Sequence, residues 1–158
     1  MNTNKQTFMQ EAIALAQKNL DKKNGGPFGA IVVKDGKIIG RGVNTVTTNN
    51  DPTAHAEVNA IRDACKNIDS FQLDDCEIYS SCEPCPMCLG AIYWARPAKL
   101  YFAATKDDAA SAGFDDSEIY KEIALPKEHR KIPTEQILQK EAQQVFRRWV
   151  NMDNKKEY

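Results

Sequence analysis

Two short segments, His55-Ala56-Glu57 and Pro84-Cys85-Pro86-Met87-Cys88, constrain this chain more than any others. One imidazole and two thiolates make three ligands that suit zinc and leave its fourth tetrahedral position free for water, the arrangement of an open, catalytic site. Cys85 and Cys88 sit three apart directly after Pro84, where a helix is expected to begin, so both sulfurs fall on one face of its first turn. Free backbone N–H groups and the positive end of the helix dipole favour thiolates there. Glu57, two residues from His55, is a poor second ligand at that offset, but it is placed to lean over the water and move protons. Any fold of this chain must bring the two segments together.

His-x-Glu followed by Pro-Cys-x-x-Cys is the general signature of zinc-dependent nucleobase deaminases. Likeness extends to Gly25-Gly26-Pro27-Phe28-Gly29-Ala30, Asn49 to Glu57, Ser81 to Pro97, Ala112 to Ser117 and the ending Asn154 to Tyr158. Through these segments the chain resembles the bacterial guanine deaminases of the cytidine-deaminase superfamily. The resemblance implies one zinc per chain on His55, Cys85 and Cys88, with Glu57 as the catalytic proton carrier. It also implies hydrolytic deamination of guanine to xanthine and ammonia, a step of purine catabolism. Base contacts are implied for Phe28, Asn44, Ala56, Asp116 and Tyr158. The family further implies a homodimer in which the carboxyl-terminal segment, about residues 134–158, swaps between subunits and carries Tyr158 to the neighbouring site.

With 158 residues and 42% hydrophobic content, the chain is long enough for one good core and too short for two ordinary domains, so a single domain, 1–158, is expected. A formal net charge of -1 leaves no strong field to attract phosphates, which argues for a small, weakly charged partner and against nucleic acid; the resemblance implies that this partner is a purine base. Asp107, Asp108, Asp115 and Asp116, candidates for the active-site rim, point the same way. Met1 to Gln10 is polar, and nowhere do about 18 apolar residues run together, so neither a signal peptide nor a membrane span is expected and the protein is read as cytoplasmic. Five cysteines, an odd number, favour ligands plus buried thiols over disulfides; Cys65 and Cys76 are read as core.

Along the chain, Phe8, Ala12, Leu15, Ala16 and either Asn19 or Leu20 follow a helical period, predicting a helix from about Lys5 to Asp21. Ala30 to Lys34 and Lys37 to Val43 read as strands joined at Asp35-Gly36, a two-residue hairpin signal. Asn44 to Asp51 reads as a loop, about His55 to Asn67 as a helix, Glu77 to Ser81 as a strand, the cysteine helix as running through about Trp94, and Lys99 to Ala103 as a strand. Only short helical turns are expected from Thr105 to Pro133, then a helix from Leu138 to Met152. Strand, helix, strand, repeated, implies parallel pairing in an α/β fold. The resemblance implies a three-layer α/β/α sandwich, cytidine deaminase-like, with helices on both faces of a mixed sheet.

Other readings compete at several positions. Cys82, Cys85, Cys88 and His55 could close a structural zinc, although Cys82, before Glu83-Pro84, falls on extended chain rather than the ligand face. A bare Cys-x-x-Cys could be a redox pair, but that leaves His55 and Glu57 without a role. His129, among Lys127 to Lys131, reads as solvated surface. Trp94, Phe114 and Phe28 are core aromatics by default, yet Phe28 follows a glycine loop that lets backbone approach a ligand. Asn44 could cap a turn, or offer a base edge both a donor and an acceptor. Within the superfamily the rival activity is deamination of tRNA adenosine or cytosine, and outside it a zinc-stabilised binding module without turnover.

Overall fold

The structure, a computed structural model, describes residues 3–158; Met1 and Asn2, at the start of the polar amino-terminal stretch, lie outside the described residues. The chain falls into two compact units, one ending at Asp116 and the other spanning Ser117–Tyr158.

The first unit is built on a four-stranded sheet of order β2-β1-β3-β4, formed by Gly29–Lys34 (β1), Lys37–Val43 (β2), Cys76–Cys82 (β3) and Lys99–Ala104 (β4). Asp35 and Gly36, at φ 49° and 72°, make the tight turn between β1 and β2, as two positive-φ residues in sequence must. β1 is antiparallel to both neighbours, and only β3 and β4 pair in parallel. The parallel pairing expected from the strand-helix-strand pattern is therefore corrected for β2 and β3. Both are antiparallel to β1 and so run in the same direction, but the helix between them crosses over β1, which separates them.

Side chains of β1 alternate between two cores. Ala30 and Val32 face Ala56, Ala60, Ala64, Ile78, Ile92 and Ala95, on the side of helices Ala56–Asn67 (α3) and Pro86–Ala95 (α4). Ile31 and Val33 face Ala12 and Tyr79, on the side of helix Thr3–Asp21 (α1). Helices on both faces make this the expected three-layer α/β/α sandwich with a mixed sheet. Because β1 and β3 are covered on both sides, neither shows the polar alternation of a half-exposed strand.

Gly42 sets how closely α3 approaches the sheet. A Cβ there would overlap the carbonyl of Ala56 and the amide nitrogen of Ala60, so glycine is what lets the start of α3 lie on β2. The polar loop expected after β2 contains one helical turn, Val46–Asn49 (α2). After β4 comes Lys106–Ser111 (α5), started by Thr105 and Asp108 in a reciprocal capping box.

Trp94 is corrected from core to surface, at 65% exposed, and Tyr93 beside it is more exposed still. α4 turns Cys88, Ile92 and Ala95 inward, which leaves those two rings on its outer side. Cys76 is buried and Cys65 packs against the same core, as read.

The second unit holds helix Ser117–Ala124 (α6), a 3-10 turn at Lys127–His129 and helix Gln139–Val150 (α7). His129 is exposed, as read. None of the unit's residues is buried, although α7 carries Val145, Phe146, Trp149 and Val150.

Candidate active site and metal centre

Strand direction gathers the candidate residues at one end of the sheet. Gly29 pairs with Val43, and Ala30 with Ser80, so Phe28 before β1, Asn44 after β2 and Cys82 at the end of β3 emerge together. The chain leaving β2 leads to His55, and the chain leaving β3 leads to Cys85.

Neither His55 nor Cys85 lies within a helix. Each is the extended residue capping one: His55 (φ -73°, ψ 159°) begins α3, and Cys85 (φ -65°, ψ 168°) begins α4. Pro86 rather than the position after Pro84 opens α4, since a proline at the first helical position lacks only an N–H that has no helical acceptor. Cys88 follows in the first turn and is fully buried.

Nδ1 of His55 lies 3.5 Å from Cys85 Sγ and 3.4 Å from Cys88 Sγ. The three ligand atoms all fall within 4.8 Å of one another. Zinc bonds of about 2.3 Å to sulfur and about 2.0–2.1 Å to nitrogen, set at a tetrahedral angle, put sulfur and nitrogen about 3.5 Å apart, so this donor set fits zinc. Among the described residues no other His, Cys, Asp or Glu joins the group. Cys82 instead directs its sulfur at the Thr105 carbonyl, 3.6 Å away, and burial pushes its thiol up to about 11. Cys85 is held down at about 4, first by its hydrogen bond with Cys88 and also by His55, whereas that same bond and burial push Cys88 up.

Glu57 occupies the first turn of α3 at 6% exposure. Burial raises the pKa of its carboxyl, while hydrogen bonds from Cys88 and Ser80 hold it down. Ser80 donates to Oε1 at 3.1 Å and is itself buried, so it fixes the carboxylate against β3. Ser80 was missed from sequence; its signal was a hydroxyl inside a buried strand, where a polar group needs a partner.

The proposed base contacts divide. Phe28 is half-buried, and Phe114 meets it edge-on with ring centroids 5.0 Å apart. Asn44 is buried, and its Oδ1 already accepts from the N–H groups of Gly26 and Val46, both at 3.3 Å. Of the two capacities read for its amide, the acceptor is thus engaged by backbone. Ala56, as the first residue of α3, has an N–H with no intrahelical acceptor. Asp116 is partly buried, which raises its carboxyl pKa, and the charge of Cys85 adds to the effect. Tyr158 belongs to the second unit and its ring is exposed. Asn59 of α3, also missed from sequence, ties the approach to His55 by donating to the carbonyls of Val43 (2.8 Å) and Ala54 (3.4 Å) and to the Thr45 hydroxyl (3.0 Å).

Residues 2–104 match the cytidine and deoxycytidylate deaminase zinc-binding region. The chain belongs to the cytidine and deoxycytidylate deaminase family. Within that family it is 59% identical to guanine deaminase of Bacillus subtilis over 155 residues, spanning 98% of this chain and 99% of that one. The crystal structure of guanine deaminase from Bacillus subtilis superposes with a TM-score of 0.94, covering 97% of this chain and 98% of the other. The tRNA-specific adenosine deaminase of Aquifex aeolicus is 41% identical over 100 residues, 63% of this chain and 66% of its own.

Proposed function

We propose that this protein deaminates guanine hydrolytically, yielding xanthine and ammonia, with zinc held by His55, Cys85 and Cys88. The observation that carries the reading is likeness to a guanine deaminase over nearly the whole chain, whereas likeness to the tRNA-specific adenosine deaminase of Aquifex aeolicus covers 63% of it. Convergence of the three ligand atoms beside a buried Glu57 supplies the chemistry.

Zinc, when bound, lowers the pKa of a coordinated water to about 7 and so makes a nucleophile available near neutrality. Glu57 takes the proton that the attacking water loses and passes it to the ring nitrogen beside C2. Glu57 then takes the remaining proton from the hydroxyl now on C2 and delivers it to the amino group, so that the C2–amino bond breaks, ammonia leaves and C2 becomes the carbonyl of xanthine. Ser80 holds Oε1 of Glu57 in place while the carboxyl shuttles these protons. Phe28 and Phe114 wall the base, the Asn44 NH2 donates to an acceptor on the purine edge, and the Ala56 N–H and Asp116 complete its recognition.

The active form is a homodimer with a swapped carboxyl-terminal segment that brings Tyr158 over the neighbouring base. In support, the second unit buries none of its residues while Phe146 is 71% exposed and Val150 64%. An amphipathic helix in that state needs a surface to cover. A cytoplasmic location suits five cysteines of which none is in a disulfide. Among the described residues no helix is long and apolar enough to cross a membrane.

Metal removal tests the reading. Chelation should abolish ammonia release from guanine and added zinc should restore it; full release from protein shown by elemental analysis to be metal-free would overturn it.

A further inference from the structure

α1 ends next to the glycine loop, and its helical period left open whether Asn19 or Leu20 faces inward. Asn19 does, at 2% exposure, while Leu20 is 47% exposed. A polar side chain at the buried end of an apolar stripe needs a reason, because burying an amide without full pairing is unfavourable. Nδ2 of Asn19 donates to the carbonyl of Gly26 and to the carbonyl of Asn44, both at 2.9 Å. Its Oδ1 is buried and has no hydrogen-bond partner among the described residues.

The two acceptors belong to the segments proposed to grip the base. Gly26 O also accepts from the Phe28 N–H at 2.9 Å, and the Gly26 N–H donates to Asn44 Oδ1 at 3.3 Å. Gly25 closes the same cradle: a Cβ there would overlap the Asn44 carbonyl, so the loop lies directly on that residue. Asn19 therefore ties one side of the cradle to the other from beneath, through the NH2 of a single amide. Its unpaired oxygen lowers stability, so the position is better explained by the geometry its donors impose than by packing.

We propose that Asn19 is a positioning residue for base recognition, fixing the Asn44 amide and the Phe28 ring relative to each other by clamping Gly26 O and Asn44 O. This rests on the reading of Asn44 as a contact to the base. A residue that acts only by orienting Asn44 loses its effect once that amide is gone, whereas one that merely stabilises the fold does not.

The test is a double-mutant cycle on the full-length zinc enzyme, with steady-state guanine kinetics and zinc content measured for Asn19→Ala, Asn44→Ala and the pair. Asn19→Asp serves as a second route, since it keeps the side-chain volume and loses the amide donors. The expected result is a guanine KM raised about tenfold in Asn19→Ala, with kcat within about threefold and zinc unchanged, and a double variant no worse than Asn44→Ala. A wild-type KM in both Asn19 variants, beside a raised KM in Asn44→Ala, overturns the role of Asn19 alone. Additive losses in the double variant also overturn it. An unchanged KM in Asn44→Ala overturns the base contact, and the role of Asn19 falls with it.

Discussion

At the residue scale the proposed chemistry rests on Glu57, a carboxylate only 6% exposed whose burial is offset in part by its hydrogen bonds with Cys88 and Ser80. Glu57→Gln keeps the shape and removes the proposed proton carrier. It should retain zinc and fold normally while losing turnover by about 10²–10⁴-fold; near-native turnover would refute the assignment. The proposed ligands separate from the neighbouring thiol in the same way. Cys85→Ala and Cys88→Ala should lose zinc and activity together, while Cys82→Ala, whose sulfur addresses the Thr105 carbonyl, should keep both. Elemental analysis decides this, and full zinc in the first two or its loss in the third would count against the site. The grouping of His55, Cys85 and Cys88 was legible in sequence, and Glu57 was picked out with it, because metal and proton chemistry restrict residue type as well as spacing. Ser80, Asn19 and Asn59 were not, because a hydrogen bond between residues far apart leaves no periodic trace.

At the scale of elements, α3 presents His55 and Glu57 only as accurately as it sits on β2. Gly42→Ala pushes a methyl into the backbone of α3 at Ala56 and Ala60. It should destabilise the protein by at least about 1–3 kcal/mol, read as a lowered Tm, and reduce guanine turnover as well; an unchanged Tm would show that the approach is looser than described. The longer helices and the strands were visible in the sequence from their period, and the β1–β2 turn from Asp35-Gly36, whereas α2 and α6 were not. The sheet order was not, since a strand-helix-strand pattern gives the direction of β2 and β3 but says nothing of β1 entering between them. Trp94 was misplaced for a related reason: α4 is apolar nearly all round, so its sequence does not reveal which face turns inward.

For the whole molecule, the proposed dimer is tested through its carboxyl-terminal tail. Deleting Lys155 to Tyr158 should lower guanine turnover by at least about tenfold, roughly 1.4 kcal/mol of transition-state stabilisation, with zinc content and Tm near wild type. Mixing that truncated protein with Glu57→Gln and allowing subunits to exchange should restore some activity, because one heterodimer site then pairs an intact Glu57 with an intact donated tail. No recovery despite demonstrated exchange would mean that the tail serves its own chain. The most direct measurement remains ammonia release by the zinc-loaded protein from guanine, adenine, cytosine and cytidine, with the product from guanine identified. Guanine should be the strongly preferred substrate, yielding equimolar xanthine and ammonia; no release from guanine, or preference for another of the four, would contradict guanine deamination.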